Sequence, residues 1–317
     1  MVTAQVSKFP TVVTKLVTHQ WPDDDAWLCL WMAYRFIPQA FAAEVVFVNA
    51  GTTLEGSEND VTVLHFDTGH GEFDHHGKEG LGRTCSAAML AEWLGLSDDA
   101  GLQALLELTT SVDNAEKVSP TSIHFLIEGY PRLLKGSDGK TDWKLVQERV
   151  FELYEIIYGQ ERDKVQKRGE LNQYARWRAL RNGIRICTLF GRPDLRDPAF
   201  EAGAAVVIWT KYKGKNKFDV GVSRNRNFPS LHLDHVVAWL RNREAAVRRA
   251  DTSCEDLFSM GKYMSWFLHD SHGLILHGGK TWTPTAEERT MLTPREIEEA
   301  IIDALMGTPK HMLNSSN

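Results

Sequence analysis

Twelve residues of the chain, "FDTGHGEFDHHG" at positions 66 to 77, hold the carboxylates Asp67, Glu72 and Asp74 and the imidazoles His70, His75 and His76. A second stretch, "HQWPDDDA", adds His19, Asp23, Asp24 and Asp25, and Asp113 follows in "SVDNA". Converging carboxylates repel: two unit charges 4 Å apart interact by roughly 4 kcal/mol at an effective dielectric of 20. Such a set persists only with protons or cations among its members. His19, Asp23, Asp25, Asp67, His75 and Asp113 offer four carboxylates, which balance two divalent ions, and two imidazoles that complete the coordination. Oxygen and imidazole donors without thiolate suit Mn²⁺ first and Mg²⁺ next, with Fe and Zn also allowed. Two such ions about 3.5–4 Å apart activate water and stabilise the attacking and leaving oxygens of a phosphoester.

These residues act together only if the fold gathers them. "TKLVTHQWPDDDAWLCLWMAYRFIP" reads as a strand from Val12 to Thr18, a loop with Pro22 and acidic residues at a helix start, and a helix to Phe36. "AEVVFVNAG" and "VTVLHF" read as further strands, the latter ending at Asp67, and "RTCSAAMLAEWLGL" and "AGLQALLELTTSV" as helices. Alternating strands and helices predict a parallel α/β sheet, whose strand carboxyl ends collect ligands. His19 and Asp67 both fall at such ends. Residues 131–182 read as a charged helical linker, and 183–317 as a smaller α+β domain with strands in "GIRICTLFG", "AAVVIWTKYKGKNKFDVGVSR" and "GLILHGG". The terminal "HMLNSSN" reads as a frayed tail.

"HQWPDDDA", "HFDTG", "FDHHG" and "SVDNA", in that order over roughly residues 11–115, resemble the four motifs of the DHH phosphoesterase superfamily. With "FLHDSHGLILHGGKT" near the C-terminus, the chain is most similar to the branch of the melanocyte-proliferating-gene proteins. The resemblance implies that His19, Asp23 and Asp67 hold one metal. It gives Asp25, Asp67, His75 and Asp113 to the other, with Asp67 bridging. Asp74 would then support the site, and His76 would face the substrate phosphate. It further implies a DHH-type catalytic domain over residues 1–130 and a metal-dependent 3′→5′ exonuclease on RNA, and a second domain able to select a chain end favours short oligonucleotides as substrate. Asp67 lies only seven residues before Asp74, a short spacing for the superfamily. "HGGK" stands where related exonucleases carry Gly-Gly-Gly-His.

In the C-terminal part, His277, Gly278, Gly279 and Lys280 read as a glycine loop able to present backbone N–H groups and an ammonium to phosphate. Arg224 and Arg226 in "SRNRN" could grip phosphate by bidentate contacts. Asp24 reads as a helix-start charge, His65 as structural, and Cys29, Cys85 and the tryptophans at 27, 31 and 93 as packing residues.

A net charge of −6 excludes a broad basic face for long nucleic acid. Four scattered cysteines exclude a disulfide framework or zinc ribbon. With no apolar run of about 18 residues and no signal-like N-terminus, a soluble cytoplasmic protein without a membrane partner is expected, and a homodimer is compatible with this reading. The same metal cage would also serve a pyrophosphatase, another phosphatase or a cyclic-dinucleotide phosphodiesterase. A metal-bound regulatory protein without turnover is the non-enzymatic alternative.

Overall fold

A computed structural model describes residues 10–57, 59–214 and 217–307, and the tail expected to fray lies outside them. The chain divides into two units, Met1–Asp163 and Lys164–Asn317. It is a mixed α/β protein with a three-stranded parallel sheet in the first unit and a seven-stranded mixed sheet in the second.

In the first unit, β1 (Lys15–His19) lies between β2 (Glu44–Val48) and β3 (Val63–His65), parallel to both. Its Leu16, Val17 and Thr18 are buried, as a central strand covered on both faces requires. Because all three strands run the same way, the residues following His19, Val48 and His65 emerge at one edge. α1 (Asp24–Phe36) starts at a cap, the Asp23 carboxylate accepting from the Asp25 and Ala26 N–H groups at 3.0 and 3.1 Å. From Asp24 to Ala33 every residue of α1 is buried, with Trp27 and Trp31 in the core as expected. α2 (Ser86–Leu94) ends at Gly95 in the left-handed conformation, and α3 (Gln103–Asp113) follows.

The region read as a helical linker holds several elements. Pro131 lies inside α4 (Ile123–Leu133), and α5 (Trp143–Tyr174) begins only after a turn closed by the Lys135–Thr141 bridge. The early half of α5 sets Val146, Val150, Tyr154 and Tyr158, one per turn, into the core of the first unit. Residues after Tyr174 leave the helix to form an edge strand, β4 (Ala175–Ala179), antiparallel to β5 (Arg185–Phe190). There Trp177 and Arg185 stack across the ladder, a sheet contact that a charged-helix pattern conceals.

The second unit continues with α6 (Arg196–Glu201), β6 (Val206–Gly214), β7 (Lys217–Arg224), α7 (Asp234–Arg248), α8 (Cys254–Phe258), β8 (Gly261–Tyr263), β9 (Trp266–Leu268), β10 (Leu274–His277) and α9 (Pro294–Met306). The strand order is β4-β5-β6-β7-β10-β9-β8. Val236, Val237 and Leu240 of α7 share a core with Ile297, Ile301 and Leu305 of α9 and with Val206, Ile208, Val220 and Val222 of the sheet. Among the described residues, no helix is long and apolar enough to cross a membrane.

Candidate metal centre

His19 ends β1, and its Nδ1 lies 2.9 Å from the Gln20 carbonyl oxygen. A carbonyl only accepts, so Nδ1 carries the proton. In a neutral His19, Nε2 then points its lone pair at Asp67 Oδ2, 3.2 Å away, with Asp23 Oδ1 at 3.9 Å. Facing lone pairs require a cation between them, either a proton or a metal. With a proton there, burial pulls the imidazole pKa down. The Asp67 hydrogen bond, the Gln20 carbonyl and the charges of Asp23 and Asp67 outweigh it and raise the pKa to about 9. Asp67 answers in kind. Burial would raise its carboxyl, yet the hydrogen bond and charge of His19, with the Ser86 hydroxyl, hold it below its usual value.

The second oxygen of Asp67 turns the other way. Ser86 Oγ, at the start of α2, donates to Asp67 Oδ1 at 3.0 Å and lies 3.1 Å from His75 Nδ1, whose proton it accepts. His75 Nε2 thereby faces Asp113 Oδ2 at 3.0 Å, the same opposition of lone pairs seen at His19. Asp25 Oδ2 and Asp67 Oδ1 lie 3.6 and 3.7 Å from His75 Nδ1. The Asp25 carboxylate sits on the N-terminus of α2, accepting from Ser86 N and Ala87 N at 2.7 Å each. Burial first, and the Asp67 charge second, still push Asp25 well above the usual carboxylate range. Asp113 is raised too, chiefly by burial.

The expected residues therefore form two groups. Ligand-capable atoms of His19, Asp23 and Asp67 lie within 4.8 Å of one another, as do those of Asp25, His75 and Asp113. Asp67 Oδ2 belongs to the first group, and its Oδ1 lies 3.7 Å from His75 Nδ1 of the second. This donor set fits divalent cations on its chemistry: each imidazole has one nitrogen committed as a donor and the other aimed at a carboxylate.

The loop from 66 to 77 holds this geometry under strain. Asp67 has a φ of 53°, in the left-handed region where aspartate is better tolerated than most residues. Its N–H donates to the Phe73 carbonyl at 2.9 Å, closing the loop. Asp74 is buried and accepts from His70 N at 2.8 Å, His76 N at 3.0 Å and His76 Nδ1 at 3.1 Å. His76 is thus fixed at Nδ1, while its ring is 58% exposed and its Nε2 is left for another partner. His70 is exposed, its Nδ1 3.2 Å from the His76 carbonyl, and it staples the loop.

Two residues at this site were not picked out from the sequence. Ser86 links Asp67, His75 and the end of α2, and no motif spacing marks it. His124 of α4 pairs with buried Asp24 at 2.7 Å, which explains how that third aspartate is tolerated beside the site. Cys29 and Cys85 are buried with their thiols pushed up by desolvation, in keeping with packing roles.

The residues expected to read substrate in the second unit do not gather at one place. β7 and β10 are antiparallel, with Ser223 opposite Leu274 and Val220 opposite His277. Arg224 and Arg226 consequently lie at one end of this ladder, and the loop from His277 to Lys280 at the other. Arg224 and Arg226 line a cavity of ≈ 520 Å³ together with Arg196 and Asn225. Arg224 donates to the Pro229 and Leu231 carbonyls, and Arg226 is exposed. His277 is buried: its Nδ1 donates to Ser265 O at 2.8 Å, its Nε2 accepts from Thr290 N at 3.3 Å, and burial lowers its pKa. It holds the loop and has no nitrogen left for a ligand. Gly278 has a φ of 78°, and a Cβ there would lie 2.3 Å from Asp219 Oδ1. Gly279 faces open space and Lys280 is exposed.

No family model matches the chain, and no curated protein matches it. One solved structure, described as the DHH domain of a member of a family of ribosomal proteins, aligns over 93% of this chain and 87% of that one, at 11% identity and a TM-score of 0.32.

Proposed function

We propose that the protein is a DHH-type phosphoesterase that hydrolyses phosphodiester bonds of short oligonucleotides, acting as a 3′→5′ exonuclease with two divalent cations, preferably Mn²⁺. The observation that carries this reading is the pair of neighbouring His–carboxylate groups, His19 with Asp23 and Asp67, and His75 with Asp25 and Asp113, with Asp67 Oδ1 lying 3.7 Å from His75 Nδ1. His19, Asp23 and Asp67 would hold one ion, and Asp25, Asp67, His75 and Asp113 the other. Bound there, the ions would supply Lewis-acid activation of water and charge neutralisation at phosphorus. Ser86 orients Asp67 and His75, and the N-terminus of α2 fixes Asp25. Asp74 sets the tautomer of His76, so that its exposed Nε2 can hold or deliver a proton at the substrate phosphate. Lys280 with the Gly278–Gly279 loop, and Arg226 with Arg224, are proposed as separate anion contacts. The division into a catalytic domain to about residue 130, a linker and a substrate domain belongs to the same proposal.

The decisive experiment combines metal analysis with a substrate panel. Purified protein should bind two Mn²⁺ per chain and release mononucleotides stepwise from labelled short oligoribonucleotides. Phosphate release from pyrophosphate, or cleavage of a cyclic dinucleotide, without degradation of linear oligonucleotides would replace this reading with the rival hydrolase. Binding of Mn²⁺ without turnover on any substrate would favour a regulatory protein.

A further inference from the structure

Between His19 and Asp23 the chain places a tryptophan in an unfavourable setting. Trp21 has a φ of 58°, a conformation that bulky side chains avoid, and its side chain is 63% exposed. Backbone strain and an exposed large ring, held at a loop tip beside a candidate site, call for a role in binding. The strain is sustained by neighbours: Gln20 N donates to Val48 O at 2.7 Å, tying the loop to the end of β2.

Trp21 is one wall of a cavity of ≈ 520 Å³ that also includes Phe47, Trp143, Lys135 and Lys140. Its ring meets Trp143 edge-on, with centroids 5.2 Å apart at 84°, and Trp143 in turn tilts against Phe47 at 5.7 Å. The two inner rings are anchored, since Trp143 and Phe47 both pack against buried Trp27. Trp21 is left with its ring largely in solvent. The lysines come from the turn between α4 and α5, where Lys135 bridges to Thr141. The space is large enough for a nucleotide, and its lining combines aromatic rings with the ammonium groups of Lys140 and of Lys135, whose Nζ donates to Thr141 Oγ1 at 3.1 Å.

We infer that this cavity is a base-stacking subsite: it receives a nucleobase against Trp21, while Lys135 and Lys140 meet the phosphate attached to the neighbouring sugar. Every base has a π-face, so such a platform tolerates sequence, and lysines act on phosphate as point charges. Trp21 lies two residues from both His19 and Asp23, within about 7 Å of chain from each. The inference rests on the proposed phosphodiesterase reading and adds to it. It assigns the leading nucleotide a place and gives a reason to prefer nucleotides over inorganic pyrophosphate.

The test is calorimetric binding of adenosine 5′-monophosphate and of ribose 5-phosphate to the full chain loaded with Mn²⁺. Wild type should bind the nucleotide more tightly than the sugar phosphate. Trp21→Ala should weaken the nucleotide about 5- to 150-fold, the range of base–aromatic stacking, and change ribose 5-phosphate less than about twofold. Trp21→Phe should recover most of the nucleotide affinity, and because Trp21 is largely exposed and loses only its edge contact with Trp143, the melting temperature should move little in either variant. A combined Lys135→Ala, Lys140→Ala variant should weaken both ligands. Equal binding of the nucleotide by wild type and Trp21→Ala would overturn the subsite. If base preference depends on Trp21 yet no oligonucleotide is cleaved, the phosphodiesterase reading fails and the subsite stands. If cleavage proceeds with unchanged KM in Trp21→Ala, the subsite alone fails.

Discussion

The centre at the edge of the parallel sheet and the glycine loop of the second unit were both readable as places to hold phosphate, and the fold treats them oppositely. In the first unit, residues from four separated segments converge, because parallel strands deliver their carboxyl ends to one edge and α2 and α3 close over it. In the second, the two sets of residues read as phosphate contacts are parted by an antiparallel ladder, which sends the ends of β7 and β10 in opposite directions. Motif spacing is informative when strand direction gathers the motifs. Where direction alternates, composition alone says little about proximity.

Breaking the first site should have the largest effect. Asp67→Ala removes the carboxylate proposed to serve both ions, and metal-stimulated hydrolysis of a phosphodiester should fall by at least about 10²–10³-fold, as for loss of a central electrostatic group. Near-normal turnover in that variant, with two ions still bound, would dissolve the contrast between the two regions.

Protons compete with metal at the same place, which gives the next effect. His19 is protonated below about pH 9 in the metal-free protein, and an ion must displace that proton. Apparent Mn²⁺ affinity should therefore rise about tenfold per pH unit up to about pH 9 and then level off. The sign for metal-free stability is opposite. A folded pKa raised from 6.5 to about 9 stabilises fully below pH 6.5, and this contribution is lost as pH rises through about 9. Metal-free melting temperature should fall across that window while the Mn²⁺-loaded value holds. Pairing a titration series with thermal melts checks both directions, and a flat affinity profile would remove His19 from the ligand set.

Ser86→Ala should weaken Mn²⁺ by about 10- to 100-fold, the usual consequence of removing a group that orients metal ligands. Lys280→Ala and Arg226→Ala should each raise KM for an oligonucleotide by only a few-fold. Because the two residues sit at opposite ends of a ladder, their effects should add in the double variant. A strong coupling between them would mean that substrate draws both ends into one site.

Much of the first unit could be read in advance, since each expected strand and helix there carries strong apolar periodicity or a clear cap. That His19, Asp23, Asp25, Asp67, His75 and Asp113 come near one another was legible because four short motifs rich in carboxylates and imidazoles recur in order along the first unit. Ser86 was not, because a serine opening a helix looks like an ordinary cap until its hydroxyl is seen between Asp67 and His75. His277 misled for the opposite reason: its neighbours Gly278 and Lys280 suggested a ligand loop, whereas burial and two hydrogen bonds commit the ring to packing. β4 escaped notice because Arg176 and Arg178 continue the charged pattern of α5, and only pairing with β5 distinguishes an edge strand from another helical turn.

The split loyalty of Asp67 has a consequence for how such a centre fills. With Asp67 serving two ions as proposed, their occupancies would be reciprocal, so whatever the first ion does to the affinity for the second, the second would do equally to the first. Pruning His19 would thus be felt across the centre at Asp113, and a titration curve of the intact protein would not resolve into two independent steps.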